Sequence, residues 1–402
     1  MRNWPLALMS FVATFAAGAP PLRILSITPR GEGVPPGRQI VIQFDQKVVP
    51  VGRMERRADE IPIGIVPPLP CEWRWLDTSS LACQLPEDDA FQPATRYQVT
   101  VRPGIRAEDG ATLSEPVEQA FETERPQVTD TRFERWLGPG SPQFTVTFNQ
   151  RVSAATVRAH LQFQTDAGGR FPVEVEPSDV DVVEPERYWR VRPQKELPLG
   201  VRADLVARKG LLSLEGPLPS RADHRVVSTF TFPAHGFLGV KCFDLSENPI
   251  TVRAGDELPA RPCNPMEPVE LLFASPVVKE VLQQALELEP DLAGGRDDYD
   301  PWDALYSYTR LEWARSGNEE YSIRLPELLR ARTTYHVRAN AAVLLDEFGR
   351  PLPEDIDFLF TTSDRPPRAA LTHPVSTLEK NVDTRVPVVV TNLDSLSLEV
   401  ET

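Results

Sequence analysis

The feature that most constrains this chain is that it repeats itself. The segment from Phe148 to Phe163 aligns without a gap on the segment from Phe273 to Leu288. Phe148 meets Phe273, Val152 meets Val277, Val157 meets Leu282, Leu161 meets Leu286, and Phe163 meets Leu288. Alternating apolar residues precede both: Phe144, Val146 and Phe148 in one, Val269, Leu271 and Phe273 in the other. A period of two is the mark of a half-buried strand. The spacing then predicts a short helical turn after Val152 and Val277, and a new strand at the last apolar pair. A third copy opens earlier, with Ile40, Ile42 and Phe44 leading to Asp45 and Val48.

The later part of the unit repeats as well. Thr95-Arg96-Tyr97-Gln98-Val99 matches Thr333-Thr334-Tyr335-His336-Val337. Each run is followed by an acidic-glycine turn and a leucine: Asp109-Gly110 with Leu113, and Asp346 to Gly349 with Leu352. Aromatic closing strands end the units at Phe121, at Phe230 to Phe232, and at Phe358 to Phe360. The middle copy departs from this pattern, with Leu199-Gly200-Val201-Arg202-Ala203 where Thr and Tyr are expected. A buried Tyr can anchor a sandwich corner through its hydroxyl, so the middle unit must close that corner by other means.

Proline punctuates the repeats at Arg125-Pro126, Phe232-Pro233-Ala234 and Arg365-Pro366-Pro367. The chain holds 41 prolines in 402 residues, about twice ordinary usage. Proline lacks the N–H that a ladder needs and therefore ends strands. The expectation is an all-β chain of tandem antiparallel, immunoglobulin-like β-sandwich domains, each of about a hundred residues. Domain 1 spans 20–125, domain 2 spans 126–234 and domain 3 spans 235–366. Residues 367–402 read as the start of a fourth β domain, with strands at Val386 to Val390 and at Leu396, Leu398 and Val400.

The amino terminus reads as a signal peptide over 1–19, with Arg2, an apolar run from Leu6 to Ala17 and small residues after it. No cysteine lies near the cleavage region, so no lipid or other membrane anchor is expected, and the expected location is periplasmic or extracellular. Export fits the four cysteines, read as intradomain disulfides Cys71–Cys83 and Cys242–Cys263. A four-cysteine zinc site is the competing reading, and the paired Cys-x-x-Cys spacing it needs is missing. The net charge of −15 with scattered Arg speaks against a phosphate backbone as partner, since that needs clustered base.

Candidate chemistry is sparse. Asp297, Asp298, Asp300 and Asp303 form the densest acidic cluster, but the glycine turn of an EF-hand loop is absent, and a solvated loop is expected. The histidines are dispersed, and no nucleophile, base and orienter assemble from sequence. The chain is therefore read as a non-enzyme without cofactor or metal. Trp73 and Trp75 alternate between the first cysteine pair; core packing is favoured over a stacking surface for sugars or peptides. Trp302, between Pro301 and Asp303, is the candidate exposed contact residue.

Several first-unit segments resemble the opening domain of bacterial alpha-2-macroglobulins: Ile27 to Glu32, Val41 to Gln46, Val48 to Gly52, Trp73 to Leu76, and Ala94 to Tyr97. The resemblance extends to Asn392-Leu393-Asp394 and implies macroglobulin-like domains. Family members entrap proteases after cleavage of a bait segment, many with a thioester in a Cys-x-Glu-Gln motif. None of the four cysteines here carries that motif. The resemblance implies the amino-terminal scaffold of a broad-spectrum endopeptidase inhibitor, non-catalytic by itself. Its partners would be proteases, through the full-length molecule, and neighbouring domains of the same chain. The alternative is a modular surface or adhesion protein built of immunoglobulin-like repeats.

Overall fold

A computed structural model describes residues 20–49, 61–179, 183–255, 261–303, 320–326, 328–371 and 387–397. The expected signal peptide lies outside these residues, as do Pro50 to Gly52, Val386, Leu398 and Val400. Nearly all regular structure is β, arranged around three successive hydrophobic cores.

The first core is enclosed by two four-stranded sheets. One has the order β1 (Ile24–Thr28), β3 (Gln39–Phe44), β6 (Ser80–Gln84), β5 (Glu72–Trp75). The other has β2 (Gly31–Val34), β8 (Val117–Thr123), β7 (Arg96–Val101), β4 (Ile63–Val66). Ile40, Ile42 and Phe44 on β3 all point inward and are buried, as period-two alternation requires. β2 runs parallel to β8, a departure from the wholly antiparallel expectation. The remaining ladders of these two sheets are antiparallel.

The second core is lined by one continuous seven-stranded sheet. Its order is β15 (His224–Phe230), β14 (Arg202–Ala207), β11 (Leu161–Thr165), β12 (Arg170–Pro177), β13 (Tyr188–Pro193), β10 (Ser141–Phe148), β9 (Val128–Gly138). β12 makes the join. Residues Arg170 to Pro172 pair with β11, and Val173 to Pro177 pair with β13. The half-burial expected for β10 is also exceeded. Gln143 and Thr145, on its outer side, are buried too. Arg135 Nε donates to Gln143 at 3.3 Å, and the Thr145 hydroxyl donates to Glu134, which also accepts from Arg190 Nε at 3.0 Å. Alternation reports which side chains are apolar; it does not report polar side chains covered by their neighbours.

The third core is held between β17 (Pro249–Arg253), β16 (Phe237–Phe243), β18 (Glu270–Phe273), β20 (Tyr321–Arg324) and a second sheet β19 (Leu286–Glu289), β21 (Thr334–Ala339), β22 (Ile356–Thr361). The aligned repeats fold alike. β10 leads to helix α1 (Ala154–His160) and then β11; β18 leads to α2 (Lys279–Ala285) and then β19. Val157 and Leu282, the aligned apolar residues of these one-face helices, are both fully buried. Ser153 caps α1 by accepting the Thr156 N–H at 3.2 Å, satisfying one of the orphan donors of a helix start.

Both cysteine pairs are bridged, with Cys71–Cys83 separated by 12 residues and Cys242–Cys263 by 21. Trp73 and Trp75 are core residues of the first unit, and Trp75 packs on Phe44 with ring centroids 5.8 Å apart. The exposure expected of Trp302 is not found. It is only 9% exposed and belongs to the third core, while Asp300 accepts its backbone N–H at 2.9 Å. Its acidic neighbours point to solvent, but the indole follows its apolar area inward. Beyond the third core, β23 (Arg368–Leu371) and β24 (Val388–Thr391) form a two-stranded ladder.

Candidate functional surface at the unit junctions

The tyrosines that sequence singled out do anchor corners. The Tyr97 hydroxyl accepts the Gln92 N–H at 2.9 Å, and the Tyr335 hydroxyl accepts the Arg330 N–H at 2.8 Å. Both rings are buried and stack on closing-strand phenylalanines, Tyr97 on Phe121 and Tyr335 on Phe360. The Tyr97 corner lies where the second unit meets the first, and both junctions among the three described cores carry polar networks.

The first junction is a strap. The loop from Gly210 to Asp223 stays fastened to the second unit through the buried Leu211 and the Leu214 N–H, which donates to the Arg151 carbonyl, and lies against the first unit between Gly216 and Arg221. Leu218 N–H donates to the Ala94 carbonyl at 2.7 Å, and Arg125 donates to the Pro219 carbonyl at 2.6 Å. Gly216 sits so close that a Cβ there would fall 2.0 Å from the Pro93 oxygen. From the other side Asn149 and Gln150 donate to the carbonyls of Arg125 and Glu124 at 3.0 and 2.6 Å. The Arg125-Pro126 step is therefore clamped on both sides, because its carbonyls need partners once buried.

Charge closes the strap. Glu122 is buried, and its carboxylate accepts from Arg125 at 2.8 Å and from Arg221 of the strap at 2.6 Å, with Arg96 at 3.4 Å. Arg221 also pairs with Glu32. The hydrogen bond from Arg125 does most to hold the Glu122 carboxyl below the usual carboxylate range, against the opposing effect of burial. A cleft of about 750 Å³ opens beside this cluster, lined by residues of both units including Glu32, Arg125, Arg221 and His224.

The second junction is aromatic. Phe232, at the end of the second unit, is fully buried against Trp136 at 4.8 Å, Tyr321 at 5.6 Å and Phe348 at 4.8 Å. Trp136 belongs to β9, while Tyr321 and Phe348 come from the third unit. Beneath the rings lies a buried polar network. The Ser275 hydroxyl donates to Asp346 Oδ2 at 2.9 Å and contacts His235 Nδ1 at 2.8 Å. Arg350 Nε donates to the same Asp346 oxygen at 2.8 Å, and its Nη1 donates to the Pro233 carbonyl at 2.8 Å. Asp346 also accepts the N–H groups of Phe348 and Arg350. Burial pushes the His235 imidazole down from its ordinary value, with Asp346 opposing and Arg350 adding to the shift.

Serine, histidine and aspartate thus meet here, although sequence reading found no such constellation. The arrangement is not that of a nucleophile. Ser275 stands between His235 and Asp346, so the acid does not orient the imidazole, and Ser275 is 0% exposed, which leaves no access for a substrate. The signal in sequence was the departure from an apolar pattern at Ser275, Asp346 and His235, but only tertiary proximity gives it meaning.

The acidic cluster resolves into local contacts. Asp300 accepts from Gln283 Nε2 at 2.7 Å, and Arg296 lies over the Tyr299 ring at 3.9 Å. Among the described residues no group of three or more His, Cys, Asp or Glu is placed to hold a metal ion. Among them, too, no helix is long and apolar enough to cross a membrane.

No protein-family model matches the chain. The chain is 28% identical over 219 residues to an alpha-2-macroglobulin homolog from a Nostoc species, a match covering 48% of this chain and 11% of the relative. The chain therefore spans about a tenth of the length of that relative. Among solved structures, native alpha-2-macroglobulin from Escherichia coli, spanning domains MG0-NIE-MG1, aligns at 16% identity with a TM-score of 0.23, covering 66% of this chain and 77% of that one. L,D-transpeptidase 3 from Mycobacterium tuberculosis aligns at 15% identity with a TM-score of 0.19, covering 46% and 76%.

Proposed function

We propose that this segment is a stiff, non-catalytic arm of an alpha-2-macroglobulin-like protease trap, periplasmic or extracellular, with its units meeting at Arg125, Ala234 and Pro366. The observation that carries the reading is that both described junctions are packed joints and not free linkers. A strap clamped by Glu122–Arg221 holds one, and an aromatic cluster over a buried polar network holds the other. A trap must keep a captured protease within walls of fixed spacing, and interdigitated joints between sandwiches supply that. The sequence similarity to an alpha-2-macroglobulin homolog supports the family reading. Fold alone would not, because sandwiches host many functions.

The test uses the full-length protein that carries these residues. Challenged with a broad-specificity endopeptidase, it should be cut and should then shield a large protein substrate, while the enzyme still turns over a small peptide. Unchanged digestion of the large substrate would refute the trap. The 402-residue chain alone should leave both substrates unaffected, and protection by the chain alone would place a trapping element within it. Small-angle scattering adds a structural check: the chain at neutral pH should scatter as one shape, and a broad distribution of dimensions would remove the stiff-arm reading.

A further inference from the structure

The second junction contains a titratable group that nothing in the proposed scaffold role requires. We propose that His235 is a proton sensor which makes the joint between the second and third units acid-labile, while the units themselves stay folded.

The hydrogen-bond arithmetic leads there. A hydroxyl has one proton, and Ser275 gives its proton to the Asp346 carboxylate, the stronger, charged acceptor. The contact between Ser275 Oγ and His235 Nδ1 then requires the proton to sit on Nδ1. Nε2 is left as the basic nitrogen, and it is buried without a well-formed hydrogen bond. A proton arriving from solvent binds at Nε2 and creates an imidazolium in a dry site.

The charged groups facing the ring are Asp346 and Arg350, both from the loop after Leu344; the Leu344 carbonyl is the nearby acceptor. From β18 and its continuation come the Phe273 ring, stacked at 6.2 Å, and the Ser275 hydroxyl. The second unit's end contributes the Pro233 carbonyl, already taken by Arg350. An imidazolium repels the Arg350 guanidinium and competes with it for Asp346. Burial outweighs the attraction to Asp346, so the folded joint resists the proton.

The strain reaches the joint through one loop. Asp346 organises Phe348 and Arg350 through their backbone N–H groups. Phe348 is the third-unit ring packed edge-on against Phe232, and Arg350 is the side chain reaching Pro233. Loosening Asp346 therefore loosens both attachments at once.

The sign follows from linkage. With a folded value below the unfolded one, the stabilisation is complete above the ordinary histidine value of about 6.5 and is lost as pH falls through the folded value. Opening of the joint should rise by up to about tenfold per pH unit below about 6.5. Amide exchange at Phe348 and Arg350, corrected for intrinsic rates, reads this directly, with Leu218 at the other junction as the control. Acceleration at Phe348 and Arg350 that vanishes in His235→Gln is the expected result. The same slope in His235→Gln, or no acceleration in the native chain, overturns the proposal. Should His235→Gln fail to fold, the His235 ring resonance of the native chain decides: titration at or above the ordinary value overturns the proposal, and titration below it supports it. The proposal rests on the stiff joint of the proposed arm, but the two fail separately. A joint already loose at neutral pH sinks the arm, whereas a joint tight at every pH sinks only the sensor.

Discussion

The Oγ1 of Thr231 accepts the backbone N–H of Val201 at 2.9 Å, and the same hydroxyl donates to the Pro198 carbonyl at 2.6 Å. The first and third units repeat this clasp. Thr123 accepts from Thr95 and donates to Gln92, and Thr362 accepts from Thr333 and binds the Arg330 carbonyl. The middle unit, with Ala203 in the place of Tyr97 and Tyr335, thus closes its corner with a threonine on the closing strand. That threonine is common to all three, and the tyrosine is a second fastening that the middle unit lacks.

Removing the clasp should therefore hurt the middle unit most. Thr231→Val leaves the Val201 N–H and the Pro198 carbonyl without their partner, at a cost of about 1–3 kcal/mol for buried groups. Thr123→Val should cost its unit less, because the Tyr97 hydroxyl still holds the Gln92 N–H. Since a chain of several units need not unfold in one step, amide exchange resolved by unit is the measurement. Equal losses in the two variants would contradict the argument.

The residue before each clasp is left-handed: Ala94 at φ 47°, Gly200 at φ 65° and Arg332 at φ 50°. Only glycine adopts this region without a clash between Cβ and carbonyl, which costs other residues roughly 1–2 kcal/mol. Arg332→Gly should stabilise the third unit by about 0.5–1 kcal/mol, because its ion pair with Asp364 is highly exposed and worth little. Gly200→Ala should destabilise the second unit by a similar amount. Calorimetry of both variants checks the two signs together.

Gly216→Ala tests the strap. The new Cβ meets the backbone oxygens of Pro93 and Ala94 at 2.0 and 2.8 Å, and neither can give way as a flexible side chain would. The strap must lift, at a cost of about 1–3 kcal/mol as for other overpacked sites. Protection of the Leu218 amide should fall while that of Val157 and Val99, in the flanking cores, is kept. Loss of protection in a core would mean that the units depend on each other for folding.

Glu122 gives the first junction its own pH dependence. Its folded value is depressed, chiefly by the hydrogen bond from Arg125. Its stabilisation is therefore complete above the unfolded carboxylate value of about 4.3 and is lost as pH falls through the folded value. Native chain and Glu122→Gln should differ in stability at pH 7 and converge as pH drops toward 3. A difference that persists at low pH would mean that Glu122 acts through packing instead of charge.

Sequence by itself determined the local pattern of strands and short helices. Phe144, Val146 and Phe148 alternate because a strand turns every second side chain to one face, and Val157 and Leu282 recur because a single helical turn has one buried position. Such patterns are written in neighbours a few residues apart and survive without knowledge of the rest of the chain. The bulk of each core and the tyrosine corners were legible for that reason. Tertiary structure decided the joints. Nothing near Arg221 in sequence points to Glu122 or Glu32, and nothing near His235 points to Ser275 or Asp346. These pairs have no period, and a polar side chain is stable in the interior only when folding delivers its partner. Trp302 shows the same limit from the other side. Its aspartate neighbours point to solvent, yet the third core takes the indole in.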